Sequence, residues 1–152
     1  MIKVFIDANI YFAGVVSKQG ASALILELAR RKKVQIFSSR LVLREADRNL
    51  RKKSDAATLK AFRRFIQNIK ITVLPPLREE LLAPYESMIH PKDVPVLAAA
   101  SESKAEFLIT LDRRHFLTPT LLSKLKKIKI MLPGEFLREI YLKGKDITNK
   151  NS

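Results

Sequence analysis

The chain has 152 residues, 47% of them hydrophobic and 29% charged, enough for one domain with its own core. Seven Pro, four Gly and no Cys exclude low complexity, a disulfide framework, a thiolate zinc site and a cysteine nucleophile. Twenty-nine Lys and Arg against fifteen Asp and Glu leave a net charge of +14. A domain this basic attracts polyanions by releasing condensed counterions, nucleic acid foremost, with an acidic protein partner or a solubilising surface as the alternative readings.

Taken in order, Ile2-Lys3-Val4-Phe5-Ile6 reads as a strand stopped by Asp7, too short for a signal peptide. Ala21, Leu24, Ile25 and Leu28 then fall at helical spacing, with Arg30 to Lys33 suiting the C-terminal dipole. Val34 to Phe37 is a second strand, and Ser38 or Ser39 can cap the helix expected from Arg40 to Lys52. A further helix is expected over Ala56 to Asn68, and a third strand over Lys70 to Leu74, closed by Pro75-Pro76. After a short helix near Arg78 to Leu82, the spacing predicts a helix over Val94 to Lys104, a strand over Phe107 to Thr110, a fifth strand over Ile128 to Leu132 and a last helix over Glu135 to Leu142. Residues 143–152 read as a polar tail. No stretch approaches about 18 apolar residues, so no membrane span is expected, and the expected compartment is the cytoplasm.

Short Val/Ile/Leu/Phe-rich strands alternating with helices predict one α/β domain, a parallel sheet with helices on both faces, over residues 1–142. In such a sheet ligands bind beyond the carboxyl ends of the strands, where the strand order reverses. Asp7 and Asn9 follow the first strand, and Thr110 and Asp112 end the fourth. Two carboxylates at such ends repel one another unless a cation lies between them, whereas the structural alternative makes each acid a helix cap. Glu45 stands three residues after Val42 and four after Leu41, beside an apolar stripe, where it is either a ligand or a boundary residue. Asp93, two residues before Pro95, sits at a helix start, where capping is again the alternative.

Four acids on separate elements, with only two His and no Cys, describe a hard oxygen site suited to Mg²⁺ or Mn²⁺. With a basic surface, the chemistry that follows is metal-assisted attack of water on a phosphodiester. Asn9 and Thr110 would fix a carboxylate or orient water, with turn capping as the plainer role. Arg113 and Arg114, directly after Asp112, are candidates for a phosphate, against a solvated-surface reading. His90 and His115 could act as a general acid or contact RNA, with a place in a loop as the plainer reading of His115, and Tyr11 reads as a stacking surface for a base, with Phe12 in the core.

The segments VFIDANIYF, LVLREADRNL, HPKDVPVLAAA and FLITLDRRHF, in that order, resemble the four acidic motifs of PIN-domain ribonucleases. The likeness runs to about Leu142 and is nearest to small VapC-type toxins of toxin–antitoxin pairs. It implies strand order 3-2-1-4-5, with the first and fourth strands side by side. It also implies a metal-dependent endoribonuclease using Mg²⁺ or Mn²⁺, with Asp7, Glu45, Asp93 and Asp112 as the catalytic, metal-holding quartet. Thr110 matches the Ser/Thr that often precedes the last acid by two. The pattern departs at His90, where relatives often carry another acid. RNA as substrate, a homodimer and an antitoxin partner with an acidic segment are further implications. A non-catalytic RNA- or protein-binding module of the same fold is the main rival. An aspartyl-phosphate hydrolase stands behind it, because Asn9 occupies the place where that chemistry wants a second acid.

Overall fold

The computed structural model describes residues 1–143. Strands β1 (Ile2–Ile6), β2 (Val34–Ser39), β3 (Ile71–Leu74), β4 (Phe107–Ile109) and β5 (Lys129–Met131) form one parallel sheet in the order β3-β2-β1-β4-β5. This is the expected fold class and strand order. Central β1 pairs Val4 with Ile36 on one side and with Phe107 on the other. Val4, Phe5 and Ile6 are all fully buried, so the strand reads as an unbroken apolar run rather than an alternating one.

From β1 the chain steps outward to β2 and β3, then returns across the sheet to β4, which makes the β1/β4 boundary the switch point. The ladder continues one rung past both strands. The Asp7 N–H donates to the Ile109 carbonyl at 3.0 Å, and the Thr110 N–H to the Met131 carbonyl at 3.1 Å. The first residues of the switch point therefore stand on rigid backbone.

Helix α1 (Ala8–Val16) follows β1 at once, capped by Asp7, in a stretch where the hydrophobic period predicts no element. Nearly every residue of Ala-Asn-Ile-Tyr-Phe-Ala-Gly-Val-Val is apolar, so no stripe stands out against a polar face. At Gly14 a β-carbon would lie 2.5 Å from Leu26 Cδ1 and 3.1 Å from the Ser22 carbonyl oxygen, and this closeness seats α1 on α2 (Ala21–Arg30). Helix α3 (Arg40–Lys53) starts at Ser39, whose hydroxyl accepts from the Val42 N–H, and buries Val42, Ala46 and Leu50 at four-residue steps. Asp55 caps α4 (Ala56–Asn68) in the same way through the Thr58 N–H. Tyr11 packs edge-on against Phe62 of α4 at 5.9 Å.

A short α5 (Glu79–Leu82) and a 3₁₀ turn over Pro91–Asp93 lead to α6 (Val94–Glu102), which ends two residues before the expected limit. Its Ala98, Ala99 and Ala100 are buried, small enough to let the helix sit inside the fold. Two helices stand where none is expected, α7 (Arg113–Phe116) and α8 (Pro119–Lys124). Each is too short for a periodic signal and is set by its cap, Asp112 and Thr118 respectively, with Phe116 and Leu121 anchored in the core. The closing helix begins earlier than expected, as α9 (Pro133–Glu135), because Pro133 suits a first helical turn; π-helical turns over Phe136–Leu142 follow. The expected polar tail lies, from residue 144 onward, outside the described residues.

Candidate metal centre

Beyond the carboxyl ends of β1 and β4 opens a hollow of about 330 Å³. Asp7, Glu45, Asp93 and Asp112 all line it. One comes from the end of β1, one from α3, one from the turn before α6 and one from the turn after β4. Like charges converge in this way only where something offsets their repulsion.

Asp7 is the most enclosed of the four, 7% exposed. Its Oδ1 accepts from the Ala8 N–H at 2.8 Å, and its Oδ2 accepts from the Thr110 hydroxyl at 2.8 Å and the Asn9 amide at 3.3 Å. Burial pushes its carboxyl up to about 6, against the hydrogen bonds from Thr110 and Ala8, and the nearby charges of Glu45 and Asp93 push the same way. Thr110, fully buried, also accepts from the Asp112 N–H at 3.1 Å and the Asn9 amide at 3.3 Å. Asn9 closes the circuit by accepting from the Leu111 N–H at 3.1 Å. The two residues thus tie Asp7 to the backbone before Asp112, fixing the positions of both acids.

Capping accounts for only part of the acid set. Asp7 and Asp112 do cap α1 and α7, each through Oδ1. Asp93 makes no capping hydrogen bond, and its Oδ2 is buried without a hydrogen-bond partner. A buried carboxylate oxygen without a hydrogen bond is costly in a protein interior and matches the appetite of a hard cation. The donors present, mostly carboxylate oxygens, fit a divalent ion of the Mg²⁺/Mn²⁺ type.

The structure corrects two of the expected roles. Tyr11 is fully buried against Phe62, so its ring is a core side chain and offers no face to a base; half-buried Phe12 is the more open of the pair. His115 lies not in a loop but in α7, with Nδ1 3.0 Å from Asp93 Oδ2 and 3.4 Å from Asp112 Oδ2. Arg113 and Arg114 are exposed on α7 and are not among the residues that line the hollow. The cations that do line it are Arg48, Lys52 and Lys92, joined by Asn49. Three of these four were legible from Glu45, since Arg48, Asn49 and Lys52 follow it by three, four and seven residues and share its helix face.

A parallel sheet of order 3-2-1-4-5 with carboxylates gathered at its switch point defines a class, the small acid-pocket α/β domains. The chain belongs to the PIN-domain family, a family of nucleases: the PIN domain model matches residues 3–114, a span that holds all four acids. No curated protein matches the sequence. Among solved structures the chain is similar to VapBC2 from Rickettsia felis bound to a DNA fragment from their promoter (15% identity, TM-score 0.60, 86% of this chain and 98% of that one). It is similar also to DNA-bound VapBC from Salmonella typhimurium (18%, TM-score 0.61, 88% and 99%). A third likeness is to PAE2754 from Pyrobaculum aerophilum (20%, TM-score 0.59, 93% and 98%). At such identities the likeness is one of fold. Among the described residues, no helix is long and apolar enough to cross a membrane.

Proposed function

We propose that the protein is a metal-dependent endoribonuclease that hydrolyses RNA phosphodiesters, and that it is the toxin of a toxin–antitoxin pair. The observation that carries the reading is the convergence of Asp7, Glu45, Asp93 and Asp112 on one hollow, with a buried Asp93 oxygen that accepts no hydrogen bond from the described residues. Held by these carboxylates, Mg²⁺ or Mn²⁺ would supply Lewis-acid activation of water and charge stabilisation at the scissile phosphate.

The chain's own residues supply the rest. The acids set where the reacting phosphate is drawn, and the Thr110–Asn9 network holds Asp7 against rotation. Arg48, Lys52 and Lys92 on the rim meet phosphates on either side of the cut, which keeps an anionic strand near an otherwise anionic pocket. Water adds to phosphorus, the P–O bond to one ribose breaks, and the departing oxygen takes up a proton.

The net charge of +14 supports a nucleic-acid substrate, and the two VapBC likenesses support an antitoxin partner; a homodimer and a cytoplasmic setting belong to the same proposal. The test is cleavage of varied RNAs by wild type, Asp7→Asn and Asp93→Asn, with Mg²⁺ or Mn²⁺ and with EDTA, the fold of each variant being checked by circular dichroism. Cleavage by wild type alone, abolished by EDTA, is expected. Salt-sensitive RNA binding with no cleavage under any metal would replace this reading with the non-catalytic module.

A further inference from the structure

We propose that His115 is a nitrogen ligand of this metal centre, which makes it a mixed oxygen–nitrogen site that prefers Mn²⁺ to Mg²⁺. The inference rests on the metal-centre reading above and adds to it a residue and an ion preference. Asp93, Asp112 and His115 each present one donor atom, and these atoms all lie within 4.8 Å of one another. The Nδ1 distances of 3.0 Å to Asp93 Oδ2 and 3.4 Å to Asp112 Oδ2 have a direct meaning. Adjacent ligands about 2.1 Å from an octahedral ion stand about 3 Å apart, so the spacing is that of a shared coordination sphere.

The same distances would suit an imidazolium clamped between two carboxylates, an arrangement that gives no nitrogen coupling in the test below; Asp93 Oδ2 is the donor of the set with room for a metal bond. Despite its closeness to Nδ1, that oxygen is left buried with no hydrogen-bond partner.

His115 is not among the residues that line the hollow, and local structure explains how a side chain that follows the last acid by three residues comes back to two of its carboxylates. Asp112 caps α7 by accepting from the His115 N–H at 3.0 Å, and this single turn returns the His115 ring to its own cap residue. The ring then stacks on His90, centroids 5.7 Å apart and planes 10° from parallel. His90 is the platform and not a second ligand of this kind, because its Nδ1 accepts from the Lys92 N–H at 3.1 Å.

Ion preference follows from ligand chemistry. Mg²⁺ takes oxygen donors and gives up water reluctantly, whereas imidazole suits first-row transition ions. An all-carboxylate pocket would hold either ion through charge; a nitrogen in the set favours Mn²⁺.

The test measures binding rather than turnover. Mn²⁺ and Mg²⁺ affinities of the purified protein are determined by calorimetry for wild type, His115→Ala, His115→Gln, His90→Ala and Asp93→Asn, with folding checked by circular dichroism. Pulsed electron paramagnetic resonance of the Mn²⁺ form then looks for nitrogen coupling. Wild type is expected to bind Mn²⁺ about tenfold more tightly than Mg²⁺ and to show the coupling. Both His115 variants should lose the coupling and about tenfold in Mn²⁺ affinity, with Mg²⁺ affinity nearly unchanged, and His90→Ala should keep the coupling. Absence of nitrogen coupling in wild type, its persistence in the His115 variants, or unchanged Mn²⁺ affinity in them would overturn the proposal. If Asp93→Asn alone loses binding, His115 is excluded while the carboxylate centre stands; if wild type binds neither ion, both fall.

Discussion

Helix α3 borders two hollows that treat carboxylates in opposite ways. On one side, Glu45, Arg48 and Lys52 face the acid pocket at the switch point. On the other, Arg40, Leu43, Arg44 and Asp47 border a groove of about 590 Å³ against α4, floored by Phe62 and Ile66. The groove is the larger space, yet its one acid, Asp47, is neutralised within the fold: Arg63 approaches it at 3.0 Å and Arg51 at 3.1 Å. The Arg63 guanidinium, aided by Arg51, holds the Asp47 carboxyl below its ordinary range. In the pocket the pull is reversed, since burial raises Asp7 and Asp93 keeps a buried oxygen without a hydrogen bond. A paired surface acid is at rest; a buried, crowded, incompletely satisfied one marks a site whose energetic complement comes from outside the chain.

The sharpest way to break this contrast is to neutralise one acid on each side. Asp7→Asn should lower RNA cleavage by at least about a hundredfold, on the order of 3 kcal/mol in the barrier, because a charge that holds the metal is gone. Asp47→Asn should leave the rate within about twofold, since Asp47 faces the groove and not the pocket. Equal losses in a cleavage assay would mean that the groove belongs to the reacting centre.

The same pair differs in its response to pH. For a carboxyl raised from 3.8 to about 6 on folding, the folded protein binds the proton more tightly than the unfolded chain. Its contribution to stability is full below pH 3.8 and is lost as pH rises through about 6, a change on the order of 3 kcal/mol. Denaturant unfolding in EDTA should therefore show wild type losing this increment between pH 4 and 6.5 relative to Asp7→Asn, which carries no titrating group there. Asp47 has the opposite sign: its carboxyl is lowered, so its contribution is present above the ordinary carboxylate range and lost as acid protonates it. A wild type whose stability rises relative to Asp7→Asn across that window would reverse the assignment for Asp7.

How much of this was readable before coordinates differs between fold and site. The strands were legible because each is a short apolar run beside turn residues, and β1 in particular lies buried on both faces. Helix α1 was hidden by the same property: with Ile10, Tyr11 and their neighbours almost all apolar, no face contrasts with another. Tyr11 was misjudged for that reason, its nearness to Asp7 in sequence saying nothing about which way a buried helix turns it. The four acids could be singled out because each follows a strand or opens or lines a helix, but their meeting in one hollow is a tertiary fact. His115 reads from sequence as a loop residue rather than a neighbour of Asp93 and Asp112 because a helix of four residues leaves no periodic trace, while its cap at Asp112 is what carries the ring back.

A finer probe asks how firmly the pocket's acids are tied. Thr110→Val keeps the shape of a fully buried side chain and removes the hydroxyl that donates to Asp7 and accepts from the Asp112 N–H. Leaving those groups short of partners should cost about 1–3 kcal/mol in urea unfolding and lower cleavage about tenfold. Carbon nuclear magnetic resonance titration of the Asp7 carboxyl should find it pushed further upward, because the strongest hydrogen bond to its charged form is lost. An unchanged titration would show that Asn9 alone suffices to hold Asp7.

The smallest effect belongs to the groove. Arg63→Ala breaks the 3.0 Å contact with Asp47, but the Arg63 side chain is 54% exposed and Arg51 remains at 3.1 Å on the same carboxylate. Solvent already screens such a pair, and ordering two long side chains opposes the gain, so the loss in urea unfolding should be the smallest of these and should shrink in high salt. Cleavage should not change. A cost as large as that of Thr110→Val, insensitive to salt, would mean that Arg63 serves chiefly through the packing of its stem over Phe62 and Ile66, and that the groove is held by apolar contact rather than by the charge neutralisation that separates it from the pocket.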